Sequence, residues 1–128
     1  MNLNQVTVPS HDLEIAIPFY EKLGLNLIVK ALPHYARFEC PDGESTFSLH
    51  QVDQINPNND IWVYFEVDQL DQKVAELINL GIQFDEMPED KSWLWREARL
   101  KDPDGNLIIL YSAGENRKDP PWKVMGDG

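Results

Sequence analysis

An α+β fold of two tandem βαβββ modules, with curled mixed sheets enclosing a cleft, is predicted by three observations. First, the chain repeats itself. Shifting by 57 positions lays Val6 on Val63, Val8 on Phe65, Leu13 on Leu70, Ile17 on Val74, Tyr20 on Leu77, Leu23 on Leu80 and Gly24 on Gly81. Second, the turns "CPDGES" and "DPDGNL" fall at matching places in the two copies. Third, each copy passes from alternating residues to helical periodicity and back to alternation. A chain of 128 residues then forms one domain: module one over about 1–56, module two over about 57–112, and a tail over 113–128.

The elements follow in order. The first strand reads "QVTVPS", and a helix begins after Asp12 or Ser10, either of which can cap it. Its apolar stripe is Leu13, Ala16, Ile17, Tyr20 and Leu23, and Gly24 supplies the left-handed exit. Pro18 lacks the amide hydrogen that a helix interior uses, so a kink or a late start is expected. Three strands follow, "LNLIVK", "YARFEC" and "STFSLH". The second copy runs from "WVYFEV" through a helix capped by Asp68, with Leu70, Val74, Leu77 and Ile78 on its stripe and Gly81 at its exit. Its remaining strands are "IQFDE", "SWLWREARL" and "NLIILY". The tail is rich in Gly, Pro and charge, hence irregular, with Trp122 expected to pin it down.

Alternation sorts the strand residues onto two faces, one under the helix and one open. On the helix side belong Val6, Val8, Phe47, Leu49, Val63, Phe65, Ile108 and Leu110. The open faces receive Gln5, Thr7, Ser48 and His50 from the first copy. From the second they receive Trp62, Tyr64, Glu66, Trp93, Trp95, Glu97, Arg99, Leu107, Ile109 and Tyr111. A few polar groups on aromatic walls describe a small-molecule site. The aromatic residues and acids suit an aromatic or cationic ligand, although core or dimer packing accounts equally for the aromatics. Glu97 and Arg99, two apart on one face, make either a structural ion pair or a clamp for a ligand carboxylate. His50 is a surface histidine or a general base.

Bulk properties narrow the partners. A net charge of −11, from 22 acidic and 11 basic residues, disfavours nucleic acid and anionic membranes. No basic segment leads into an apolar run near Met1, so neither a signal peptide nor a membrane span is expected. The single cysteine, Cys40, excludes an internal disulfide and suits the cytoplasm. Phosphate-loop, zinc-protease and serine-hydrolase motifs are absent from the sequence.

The stretches "HDLEIAIPFYEKLGL", "FEVDQLDQKVAELINLGI" and "DPDGNLIILY", in this order and spacing, resemble the vicinal oxygen chelate superfamily, which includes glyoxalases, bleomycin-resistance proteins and ring-cleaving dioxygenases. The resemblance runs from about Asn2 to Tyr111. It implies that metal-using members draw ligands from four places, which correspond here to Gln5, Ser48 (with His50 two residues on), Trp62 and Ile109. Divalent metals in such sites want imidazole and carboxylate. Gln5 can serve; Trp62 and Ile109 cannot. No metal and no cofactor are therefore expected, unless His50, Glu66 or Glu97 reach a relocated ion.

The resemblance also implies a homodimer and places Arg99 where fosfomycin-resistance enzymes face their substrate. The expected function is binding of a small organic molecule in a metal-free cleft. The alternative is a lyase, isomerase or dioxygenase of the same superfamily, with His50, Glu97 and Arg99 as candidate catalytic groups.

Overall fold

The computed structural model describes residues 1–125 and contains two four-stranded sheets, each with one helix. Two compact units divide the chain: residues 1–61 with 101–107, and residues 62–100 with 108 onward. A turn late in the chain, at 101–107, joins the first unit.

In the first unit the elements are β1 (Gln5–Ser10), α1 (Leu13–Leu23), β2 (Asn26–Ala31), β3 (Tyr35–Glu39) and β4 (Thr46–Gln51). The sheet order is β1-β4-β3-β2, with β1 parallel to β4 and the other pairs antiparallel. Asp12, rather than Ser10, caps α1 by accepting from Glu14 N at 3.0 Å. Pro18 is accommodated inside the helix, which starts at Leu13 and not late. Leu13, Ala16, Ile17, Tyr20 and Leu23 are buried, as are Val8, Ala36, Phe38, Phe47 and Leu49 of the sheet. Tyr20 sits at the centre of this core, its ring 4.6 Å from that of Phe47 and 5.9 Å from that of Phe38.

The second unit holds β5 (Trp62–Glu66), α2 (Leu70–Asn79), β6 (Glu86–Asp90), most of β7 (Arg96–Lys101) and of β8 (Leu107–Ser112), and a short 3-10 helix (Gly114–Arg117). Its sheet order is β5-β8-β7-β6, the same order as in the first sheet. Both helices end in one device. Gly24 N donates to Glu21 O and Leu25 N to Tyr20 O; at an offset of 57, Gly81 N donates to Ile78 O and Ile82 N to Leu77 O. Gly24 (φ 107°) and Gly81 (φ 92°) take the left-handed conformation that this Schellman geometry requires. The repeat is thus visible in hydrogen bonds as well as in letters.

Several local expectations are corrected. Asp68 does not cap α2; the helix starts after Gln69 with no side-chain cap bond. The sixth strand lies at Glu86–Asp90, later than "IQFDE", because Ile82 is held by the helix-ending bonds and sheet pairing begins only where Asp85 N meets Arg99 O at 2.8 Å. "SWLW" is a turn: Leu94 has φ 68° and its amide donates to Lys91 O, so β7 starts at Arg96. Arg96, the first residue of β7, pairs with Asp71 at 3.1 Å and Asp90 at 3.0 Å. Trp122 is 57% exposed and does not pin the tail; Trp95 does, donating from Nε1 to Asn116 O at 3.2 Å.

The turn "DPDGN" is a buried polar hub of the first unit. Asp102 Oδ1 accepts from Asp104 N and Asn106 N at 2.9 Å each. Asp102 Oδ2 accepts from Tyr20 Oη at 2.5 Å and from Asn106 Nδ2 at 2.8 Å, while Asn106 Nδ2 also donates to Pro9 O at 2.9 Å. A buried carboxylate must be fully bonded to be tolerated, and this one is. Burial, together with the charge of Asp102, pushes the Tyr20 phenol far above the usual tyrosine range. Replacing Tyr20 by Phe leaves an Asp102 oxygen short of a partner and is expected to cost about 1–3 kcal/mol in urea denaturation. Because the folded phenol holds its proton while the unfolded one ionises near 10, wild-type stability falls as pH rises past about 10. In Tyr20→Phe that contribution to the alkaline loss is absent, which denaturation at two alkaline pH values would read.

Candidate functional site: two open sheet faces

Each sheet buries one face beneath apolar side chains, and the functional candidates stand on the other. In the first sheet the register pairs Gln5 with Thr46, Thr7 with Ser48, Arg37 with Ser48, and Tyr35 with His50. Every second residue on these strands therefore shares one face. There a hydrogen-bonded network forms. Thr46 Oγ1 donates to Gln5 Oε1, which orients the amide so that Nε2 donates to Ser48 Oγ at 2.8 Å and Thr7 Oγ1 at 3.1 Å. Ser48 Oγ lies 2.7 Å from Tyr35 Oη, and Arg37 Nε donates to the same phenol oxygen at 2.9 Å. Ser48 is wholly buried, whereas Gln5, Thr7, Arg37 and His50 are exposed.

Of the expected residues, Gln5, Thr7 and Ser48 come together in this network, and His50 stands across from Tyr35 at its margin. Tyr35, Arg37 and Thr46 were missed. The alternation in "YARFEC" carried the signal: Tyr35 and Arg37 have the parity opposite to Ala36 and Phe38, which are buried.

The second sheet presents a different chemistry. Glu97 is 1% exposed, accepts from Trp93 Nε1 at 2.9 Å through Oε1, and faces Arg99 Nη2 at 3.4 Å through Oε2. Arg99 also lies 3.3 Å from Glu86, which Lys91 approaches at 3.6 Å, and its guanidinium sits over the Trp62 ring at 4.5 Å from the centroid. So the Glu97–Arg99 ion pair forms, and it does so as part of a larger cluster that adds Glu86, Lys91 and the indole of Trp62. Glu86 closes the expected strand "IQFDE", but only the register that pairs it with Arg99 brings it, and Lys91 with it, to this cluster.

Beside the ionic cluster lies an aromatic one. Trp95 stacks on Tyr111 at 4.7 Å, and Tyr64 meets both edge-on, at 5.9 and 5.5 Å. Ile109, Tyr111 and Ala113 form a buried apolar group with Trp95 packed against it. Burial raises the phenols of Tyr64 and Tyr111, with Glu97 and Glu66 respectively adding to the effect. Ile109 and Tyr111 are almost completely buried, while Trp62 and Tyr64 remain 43% and 40% exposed. Glu66 is exposed at the end of β5.

The donor set does not fit a divalent metal. Trp62 offers an indole with no free lone pair, and Ile109 offers no heteroatom and sits in an apolar group. The Gln5 oxygen already accepts from Thr46. Among the described residues, no three His, Cys, Asp or Glu side chains are grouped so as to hold an ion.

Glu97→Gln is expected to lower stability by about 2 kcal/mol, since a donating amide would meet the Arg99 guanidinium. Adding Arg99→Met should recover part of that loss, a coupling that a double-mutant cycle in chemical denaturation measures.

Comparisons with known proteins agree with this architecture. The family model of the glyoxalase/bleomycin resistance protein/dioxygenase superfamily matches residues 2–110. The chain is 26% identical to the uncharacterized protein YraH of Bacillus subtilis (strain 168), over 87% of this chain and 98% of that protein. In shape it is similar to a glyoxalase/bleomycin resistance protein/dioxygenase from Nocardioides, with TM-score 0.78, 23% identity, and 98% and 90% of the two chains covered. It is also similar to a bleomycin-binding protein solved with bleomycin, with TM-score 0.71, 22% identity, and 88% and 98% covered. No helix among the described residues is long and apolar enough to cross a membrane.

Proposed function

Since the chain belongs to the glyoxalase/bleomycin resistance protein/dioxygenase superfamily, we propose that it binds a small organic molecule through its open sheet faces without using a metal. The observation that carries this reading is the identity of two residues. Trp62 and Ile109 occupy places from which metal-using members of the superfamily supply ligands, and neither can donate to a cation. An ionised carboxylate at 109, set among Tyr111, Ala113 and Trp95, would cost several kcal/mol without a cation to offset it.

Half-exposed aromatics beside a buried carboxylate that pairs with a partly exposed guanidinium suit an affinity site for a flat molecule. Trp62 and Tyr64 offer apolar area at low conformational cost, while Glu97, buried, holds in place the partly exposed guanidinium of Arg99. A superfamily fold that in another protein holds bleomycin supports a role in binding. Glu66 and Trp95 are proposed to add contacts on the second sheet's face, with buried Tyr111 positioning Trp95; on the first sheet's face, taken by itself, Gln5, Thr7 and His50 are proposed to offer polar contacts held in place by buried Ser48. A cytoplasmic homodimer is proposed as the working form, with elution at twice the mass of 14.8 kDa as its signature.

The test is metal retention followed by a ligand screen. Protein incubated with Mn, Fe, Ni, Co or Zn and then dialysed should keep far less than one ion per chain, by elemental analysis. Retention near one ion per chain would end the metal-free reading. In thermal-shift screens of aromatic compounds, hits for the wild type are expected to weaken by about tenfold or more in Trp62→Ala, the loss of one aromatic stacking contact.

A further inference from the structure

The hydrogen bonds of the first sheet's open face can be counted to the last proton. Arg37 Nε and Gln5 Nε2 are obligate donors, so Tyr35 Oη accepts one bond and Ser48 Oγ accepts another. The two hydroxyls share the 2.7 Å bond between them, and either can donate it. Whichever does, one hydroxyl hydrogen remains for a group outside the network. If Tyr35 donated, the remaining hydrogen would belong to Ser48, which is 0% exposed, and a buried donor would go unmet. Ser48 therefore donates to Tyr35. The phenol oxygen accepts twice and its own hydrogen points away from the network, at the half-buried surface.

Arg37 completes the arrangement. Its Nε is spent on Tyr35, and its guanidinium carbon lies 5.4 Å from that ring's centroid. Among the described residues it has no carboxylate partner, in a chain with 22 acidic residues. Its terminal nitrogens are thus available beside a free phenol hydrogen. The titratable groups arranged around Tyr35 are Arg37 on its own strand and His50 opposite on β4; its partner on β2 is Ala31.

We propose that Tyr35 and Arg37 form a proton-donating anchor for the carboxylate of a small organic acid, held in register by Ser48 and Gln5. A carboxylate suits it because a guanidinium and a fixed hydroxyl together match its two oxygens. This deepens the binding reading above by naming a ligand class, but the state of the phenol does not depend on that reading.

The phenol itself supplies the readout. The hydrogen bond from Ser48 holds Tyr35 below the usual tyrosine range against a smaller opposing effect of burial, and Arg37 adds to the lowering by hydrogen bond and charge. The other three tyrosines, Tyr20, Tyr64 and Tyr111, are all raised, so the first phenol to ionise belongs to Tyr35. Ultraviolet titration of the tyrosinate band, with benzoate as the carboxylate probe, tests the proposal.

One phenol is expected to ionise below about 10, to vanish from the titration in Tyr35→Phe, and to move upward in Ser48→Ala. Saturating benzoate should raise that midpoint by about one pH unit, since a neighbouring carboxylate disfavours the phenolate. Arg37→Met, a change at an exposed position, should abolish the benzoate effect while the fold persists by circular dichroism. Survival of the early ionisation in Tyr35→Phe, or a midpoint that benzoate leaves unmoved, would overturn the anchor. Metal retention on dialysis would remove the metal-free reading and leave this titration as it is, so the two failures are distinguishable.

Discussion

A β-strand sends consecutive side chains to opposite faces, and in this protein each sheet carries a single helix. One face of every strand must therefore be apolar enough to build a core, and the alternate residues are left to do something else. Val8, Ala36, Phe38, Phe47 and Leu49 meet the first demand in one sheet, with Tyr20 at their centre. Gln5, Thr7, Ser48, Tyr35 and Arg37 are what the same strands have left over. Shift any of these strands by one residue and both the core and the network would be lost together.

The two copies of the module keep their architecture and diverge in chemistry. Strand order and helix-ending hydrogen bonds repeat at the same offset, down to Gly24 and Gly81. The open face of the first sheet is a relay of amides and hydroxyls. The open face of the second is an ion cluster against indoles, in which a buried Glu97 is satisfied by Trp93 and Arg99. Backbone geometry is shared because it rests on glycine conformations and apolar spacing. Side chains that carry no core are free to differ, and a duplicated scaffold can present two unlike surfaces.

That freedom explains the absence of a carboxylate at position 109. Where a cation is present, an acidic side chain on this strand is neutralised. Ile109 instead joins Tyr111, Ala113 and Trp95 in an apolar group, to which the segment after β8 is fastened by the Trp95–Asn116 bond. An apolar residue at 109 and an indole at 62 are mutually consistent: neither offers a lone pair to a cation.

From the letters alone came the module, its duplication, the helices and the parity of most strands, because apolar spacing and glycine placement are local properties. The same letters carried the parity of Tyr35 and Arg37, but nothing in them said that a network would converge on those two. Boundaries were lost where several signals competed. Ile82 reads as a strand residue yet closes a helix, and "SWLW" reads as a strand yet turns at Leu94. Asp102 gave no local sign of being a hub, since its partner Tyr20 lies 82 residues away in sequence. Spacing determines which residues can share a face; only the folded chain decides which of them touch, because hydrogen bonds and ion pairs form over a few ångströms between strands whose pairing no single segment encodes.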